Sequence, residues 1–289
     1  MLKRSRLVLA MSFSAALLCG CGGTTESAQP SPTASAAGAK DRKHQFEAAK
    51  ADCMKQKGFK YVPYVKPEEE PSEEERKRNS GDYQAMRQYR EKYGFGVFSE
   101  FVYPKEVGLS AAVAEAEEHP NPNNKVVASL SQAQMNAYRK AQDACVSQAA
   151  KQALGLEIES NIDYFNQSGL TKKRLLARDL DGDPRLTELA TSMATCLKSK
   201  GYTISDTKPT ALDSRGKRTF QEQATAIARK QKGSKSSPRP DLSPQQAKPY
   251  LTKEIKAALD DLECGKDFYP AYVPRQTTLK QQVDDQFAL

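Results

Sequence analysis

Tryptophan is absent from the 289-residue chain, and histidine occurs only twice, at His44 and His119. With aromatic residues at 8 % of the chain, no indole can anchor a core, and a thin core is expected. Few histidines also means little imidazole chemistry. His44 opens a helix, and His119 precedes Pro120 in a polar loop; neither sits in a nucleophile–base setting. The Gly-x-Ser-x-Gly elbow, the His-Glu-x-x-His helix, the phosphate loop and the dinucleotide fingerprint are all missing. So are Cys-x-x-Cys knuckles. No catalytic residue, cofactor site or metal site is therefore assigned from motifs. One enzymatic class survives, because a glycosidase carboxylate pair needs no local signature. No apolar run reaches the ~20 residues of a membrane span.

What is present begins at the N-terminus. Lys3, Arg4 and Arg6 precede a mostly apolar stretch from Leu7 to Leu18, which has the length of a signal h-region. Leu18-Cys19-Gly20-Cys21 then places an apolar residue three positions before Cys21 and a small one directly before it. This arrangement predicts a lipoprotein signal peptide over 1–20 and lipidation of the Cys21 thiol. Cys19 is the poorer acceptor because bulky Leu18 precedes it. A diacylglyceryl group supplies the two acyl chains that stable anchoring requires, at ~0.8 kcal/mol per buried methylene. Residues 21–40 carry almost no bulky apolar side chains and read as a disordered tether with an r.m.s. reach of about 25 Å. The expected location is the extracytoplasmic face of the cell membrane.

Once Cys19 leaves with the leader and Cys21 takes the lipid, four cysteines remain: Cys53, Cys145, Cys196 and Cys264. An even number in an exported chain predicts two disulfides, with three connectivities open. An internal repeat chooses among them. Cys53-Met54-Lys55-Gln56-Lys57-Gly58-Phe59 matches Cys196-Leu197-Lys198-Ser199-Lys200-Gly201-Tyr202 as Cys, apolar, Lys, any, Lys, Gly, aromatic. Each copy ends a helix and precedes a helix carrying one further cysteine. Two similar units predict Cys53–Cys145 and Cys196–Cys264.

The fold class expected is mainly α with little sheet: a first helical half over 41–155 and a second over 156–289, each closed by one disulfide. Three- and four-residue spacing of apolar side chains predicts helices over 42–57, 82–93, 110–118, 132–154, 184–200, 219–232, 250–263 and 276–288. Residues 156–179 read as weaker helix or loop, 203–218 as loop, 233–249 as a second polar linker, and 59–65 as a short extended segment. Two acidic stretches invite a calcium reading. Glu68, Glu69, Glu70, Glu73, Glu74 and Glu75 lack glycine-spaced ligands, and Ser72 with Glu75 reads as a helix cap. Asp179, Asp181 and Asp183 resemble the start of an EF-hand loop, but Pro184 holds the sixth position and Ala190 the twelfth. Asp183 is expected to cap a helix that begins at Pro184. Gly94-Phe95-Gly96-Val97-Phe98 suggests a tight turn packed against the core.

Several motifs together resemble a broad group of membrane-anchored lipoproteins from actinobacteria. They are the leader ending at Cys21, Cys53-Met54 with Gly58-Phe59 and Tyr61-Val62-Pro63, and Lys92 to Gly96. Asn121-Pro122-Asn123, Leu130-Ser131, Tyr138, Asp183-Pro184-Arg185 and the apolar helix from Ile255 to Cys264 complete the set. The tryptophan often carried by the second cysteine helix of that group is absent here. The resemblance implies an exported, membrane-tethered protein and brings no catalytic residues with it.

The formal charge is +8, and removing Lys3, Arg4 and Arg6 with the leader leaves +5. That is too little to argue for nucleic acid as a partner. Segment 215–256 is locally basic, with eleven Lys and Arg against Glu222, Asp241 and Glu254. Contact with anionic lipid or wall polymer is the functional reading of that segment; solvated helix faces are the plain one. The expected role is a non-catalytic binding or accessory protein that meets the membrane through Cys21, with an envelope protein as a further possible partner. A solute-binding receptor and a cell-wall-active hydrolase are the alternatives.

Overall fold

The computed structural model describes residues 32–232 and 239–289, and no β-strand occurs among them. Residues 1–20 of the expected leader, Cys21 and the first part of the expected tether lie outside the described residues. So does 233–238 of the second linker. The helices are α1 (Pro32–Gln56), α2 (Glu73–Asn79), α3 (Tyr83–Tyr93), α4 (Ser99–Val102), α5 (Leu109–Glu118) and α6 (Asn123–Ala128). They continue as α7 (Gln132–Ala149), α8 (Asn161–Leu176), α9 (Pro184–Ser199), α10 (Pro209–Lys232), α11 (Pro244–Cys264) and α12 (Phe268–Phe287). Single π-turns extend α7 over Ala150–Leu154 and α8 over Ala177–Asp181.

The repeat read from the sequence is a repeated helix ending. The Phe59 N–H reaches the Met54 carbonyl at 2.9 Å, and the Gly58 N–H reaches Lys55 at 3.0 Å. Tyr202 to Leu197 at 3.0 Å and Gly201 to Lys198 at 2.9 Å repeat the pattern. Gly58 and Gly201 have φ of 81° and 88°, the left-handed conformation this Schellman cap requires. The aromatic residue after each glycine folds back toward the apolar residue five positions earlier. Phe59 packs on the cluster containing Met54, and Tyr202 on the one containing Leu197. Each cysteine sits one residue before that apolar position. Both disulfides form as expected, Cys53–Cys145 and Cys196–Cys264, each with a Cα separation of 5.4 Å.

Four apolar clusters do the work that a single large core would otherwise do. α9 contributes Leu186, Ala190, Met193 and Leu197 to the first, which meets Leu262, Phe268, Tyr269 and Tyr272. The second joins Phe46, Val146 and Tyr164 to Val283 and Phe287 of α12. The third gathers Phe98, Phe220 and Leu251, and the fourth surrounds Cys53–Cys145 with Met54 and Tyr138. Phe98 stacks on Tyr250 at 4.9 Å and Phe268 on Tyr272 at 4.7 Å, so paired rings fill the volume that an indole would take. Each disulfide lies within one half of the sequence, while packing crosses between them: α3 lies along α11, and α12 meets both α1 and α2.

Several helices begin earlier than the apolar spacing predicts. Residues 32–40 of the expected tether are helical. Pro32 suits a first turn, and Ala34, Ala36, Ala37 and Ala39 are strong helix formers by intrinsic propensity. α10 starts at Pro209 inside the expected loop, where the Asp181 carboxylate accepts from the Thr210 N–H at 2.9 Å and its hydroxyl at 2.8 Å. α11 starts at Pro244, behind a capping box of Ser243 and Gln246, and runs through Pro249. α12 starts at Phe268 and runs through Pro274, because Phe268, Tyr269 and Tyr272 bury its first turns. α8 is a full helix, and α4 and α6 are short helices that the periodicity does not announce. The segment 59–65 has no strand partner. Instead, the Asn123 side chain accepts from the Val62 N–H at 2.9 Å and donates to its carbonyl at 2.8 Å.

Candidate functional site

The acidic stretches resolve into caps and pairs. Asp183 accepts from the Leu186 N–H at 2.8 Å and pairs with Arg275 at 2.8 Å, while Asp179 pairs with Arg178. Ser72 caps α2 by accepting from the Glu75 N–H. Glu69, Glu118 and His119 meet at the surface with ligand atoms within 4.8 Å of one another. Exposed acids gather in this way without an ion, and the group is given no role. The sequence reading does not bring these three together, since Glu69 is fifty residues away from the other two.

The glycine-flanked aromatics are held by one buried carboxylate. Glu254 of α11 is fully buried, and it accepts from the backbone N–H of Phe95 at 2.9 Å, Val97 at 2.8 Å and Phe98 at 2.7 Å. A Cβ on Gly94 would stand 2.7 Å from the Glu254 Cγ, so only glycine lets the loop close on this side chain. Burial pushes the Glu254 pKa up, and the backbone donors pull against that shift without cancelling it. Two turns further along α11, Asp261 is equally buried. It accepts from Arg90 at 2.8 Å, from Arg215 at 3.3 Å and from the Tyr269 hydroxyl. Burial opposes the charge on Arg90, but Tyr269 and Asp261 outweigh it and hold the guanidinium protonated. These two carboxylates fix α3, the loop 94–98 and α10 onto α11.

Between α3 and α10 this scaffold leaves a cleft of about 550 Å³. Tyr89, Arg90 and Phe95 form one wall; Asp213, Lys217 and Arg218 of α10 face them, and Arg78 closes one end. The Arg78 guanidinium lies 4.6 Å from the Tyr89 ring centroid. Arg78, Lys217 and Arg218 have no ion-pair partner among the described residues. Burial raises the Asp213 pKa, and a 2.8 Å hydrogen bond from Gln276 only partly offsets it. Nearby Lys280 is pushed below the usual lysine range, first by burial; Asp213 opposes this, and the cations of Lys172 and Lys217 add to it. The cleft is thus a place where positive charge exceeds negative.

A larger recess of about 740 Å³ beside Phe46 and Tyr164 differs in this respect. Its Lys43 pairs with Glu68 at 2.5 Å and its Lys50 with Glu47 at 3.0 Å, so its charges largely compensate one another. The basic segment 215–256 divides among several roles. Arg215 turns inward to Asp261, Lys256 pairs with Asp260 at 2.7 Å, Arg239 pairs with Glu100 at 3.3 Å, and Lys217 and Arg218 reach the cleft. Arg78 and Arg90, the other cations of the cleft, come from the first half of the chain and carry no signal linking them to that segment.

Cys21 lies outside the described residues. No helix among those described is long and apolar enough to cross a membrane. No known protein family, no curated protein and no solved structure matches this chain.

Proposed function

We propose that this chain is an exported lipoprotein, anchored through Cys21 at the outer face of the cytoplasmic membrane, which binds an anionic ligand without chemical turnover. The leader and the resemblance to actinobacterial membrane-anchored lipoproteins support the location. The observation that carries the binding role is the group Arg78, Lys217 and Arg218, three cations around one cleft without ion-pair partners among the described residues. Lys217 and Arg218 are exposed and Arg78 is half-buried, so three like charges at the cleft are open to an anionic ligand. Asp213 is the one carboxylate among the described cleft-lining residues, where a glycosidase needs two, so the arrangement favours binding over hydrolysis. The volume also falls within the range of small-molecule sites, which keeps a solute-binding receptor as the second reading.

Calorimetric titration of the mature chain with pyrophosphate tests the site. Saturable binding is expected, and the double variant Lys217→Gln/Arg218→Gln should weaken it about tenfold or more. Absence of binding, or equal binding by the variant, refutes the role of the cleft.

A further inference from the structure

Five large apolar side chains stand exposed among the described residues, and three of them lie on one helix. Ile162, Phe165 and Leu170 of α8 are 73, 55 and 63 % exposed, while Tyr164 and Ser168 turn inward and are buried. At 3.6 residues per turn the three outward residues share one side of the helix, over about 12 Å of its length. Leu289, a fourth of the five, lines the 740 Å³ recess together with Phe165 and so extends the apolar surface past the helix. One turn beyond Leu170, Lys173 continues the same side and Arg174 flanks it. Both are exposed, and neither has an ion-pair partner among the described residues; Arg174 donates to the Thr171 hydroxyl of its own helix at 3.3 Å. Asp163 is the one carboxylate within α8, and it is taken up by the Glu159 N–H and the Gln167 amide at 2.9 Å each. Glu157 and Glu159 precede the helix, the first paired with Lys151 at 2.8 Å.

We propose that this face of α8 lies against an anionic phospholipid bilayer. Ile162, Phe165 and Leu170 enter the boundary between headgroups and acyl chains, and Lys173 and Arg174 meet headgroup phosphates. The inference rests on the reading of Cys21 as a lipid anchor. The length of chain ahead of α1 permits the contact. Phe46 of α1 stacks on Tyr164, next to Phe165, at 5.4 Å. From Phe46 back to Pro32 the helix covers about 21 Å. The eleven residues from Cys21 to Pro32 reach up to about 36 Å, so a lipid on Cys21 can return to the level of α8. A second copy of the chain suits the face less well. A stable protein interface uses about 20–30 residues a side, whereas this patch is four apolar side chains with two cations at one end. A few side chains are enough for a bilayer already held close by the anchor, because the tether supplies a high effective concentration. Without the anchor so small a contact is weak, and the protein still leaves the membrane fraction.

The absence of tryptophan makes the test direct. Phe165→Trp and Ile162→Trp each place a single indole on the exposed face, and Thr252→Trp places one on the exposed side of α11 as a control. The full mature chain, carrying its native lipid, is reconstituted into vesicles of phosphatidylcholine and phosphatidylglycerol with brominated acyl chains. Emission from positions 165 and 162 should shift to the blue and be quenched about twofold or more, with neither change at 252. Adding Lys173→Glu and Arg174→Glu to the Phe165→Trp chain should lower the ratio of inserted to free face about tenfold, and omitting phosphatidylglycerol should act in the same direction. Unquenched emission at 165 and 162, or equal quenching at 252, overturns the proposal. So does quenching that ignores both the charge reversal and the phosphatidylglycerol. A blue shift at 165 that grows with protein concentration in the absence of vesicles would show that a second copy covers the face instead. Mass spectrometry of the same preparation separates the two readings. A chain without lipid refutes the anchor and this proposal with it, whereas a lipidated chain with unquenched indoles refutes the α8 contact alone.

Discussion

Glu254 shows how much can depend on one side chain. Its two oxygens take three backbone donors from a loop some 156–159 residues away in sequence. In Glu254→Gln one of those oxygens becomes an NH₂ that must face a backbone N–H. The expected cost is about 1–3 kcal/mol, read from urea unfolding, because a buried donor loses its acceptor. Asp260 makes a different prediction. Burial pushes its pKa up, but hydrogen bonds from Lys256, Tyr202 and Lys200 outweigh this and hold the carboxyl at about 2, below its ordinary 3.8. A depressed acid stabilises the folded state fully above its unfolded value and loses that contribution as pH falls toward the folded value. The stability gap between the native chain and Asp260→Asn should therefore be widest above pH 4 and close by pH 2. A gap independent of pH would mean that the three partners do not act through the charge.

At the scale of elements, the two disulfides join helices with very different sequence separations to their partners. Cys53–Cys145 closes 92 residues and Cys196–Cys264 closes 68. Chain-entropy estimates give about 4–5 kcal/mol for each. Replacing one pair by alanine should lower the unfolding free energy by an amount of that order, seen by denaturant titration without reductant. An unchanged midpoint would show that packing around Met54 or Leu197 alone holds the helix ends. Element starts illustrate what local reading misses. Pro249 and Pro274 look like breaks in a helical pattern, yet both lie inside helices. The aromatic and aliphatic burial of Leu251, Tyr269 and Tyr272 exceeds the loss of one backbone bond each.

For the whole molecule, location and ligand are separate questions with separate tests. Cys21→Ala should abolish lipid labelling and move the protein out of the membrane fraction, while its thermal unfolding stays unchanged. Retention in the membrane would show that the leader has been misread. The cleft draws its cations from α2, α3 and α10, so removing either half of the chain should remove the site.

The sequence by itself determined the helical class and the disulfide pairing. Both are written in short-range spacing: apolar residues at three and four, and one seven-residue cap repeated. The cap at Asp183 and the Ser131 start of α7 were legible for the same reason. Only the tertiary structure decided where the charges go. Arg90 and Arg215 are buried on Asp261, whereas Arg78, Lys217 and Arg218 are left facing a cleft, and nothing in their neighbouring residues distinguishes the two groups. Whether a cation finds a partner depends on which helices pack together. That in turn was set by Glu254 and Asp261, two carboxylates whose partners are distant in the chain and meet only when α3 and α10 close on α11.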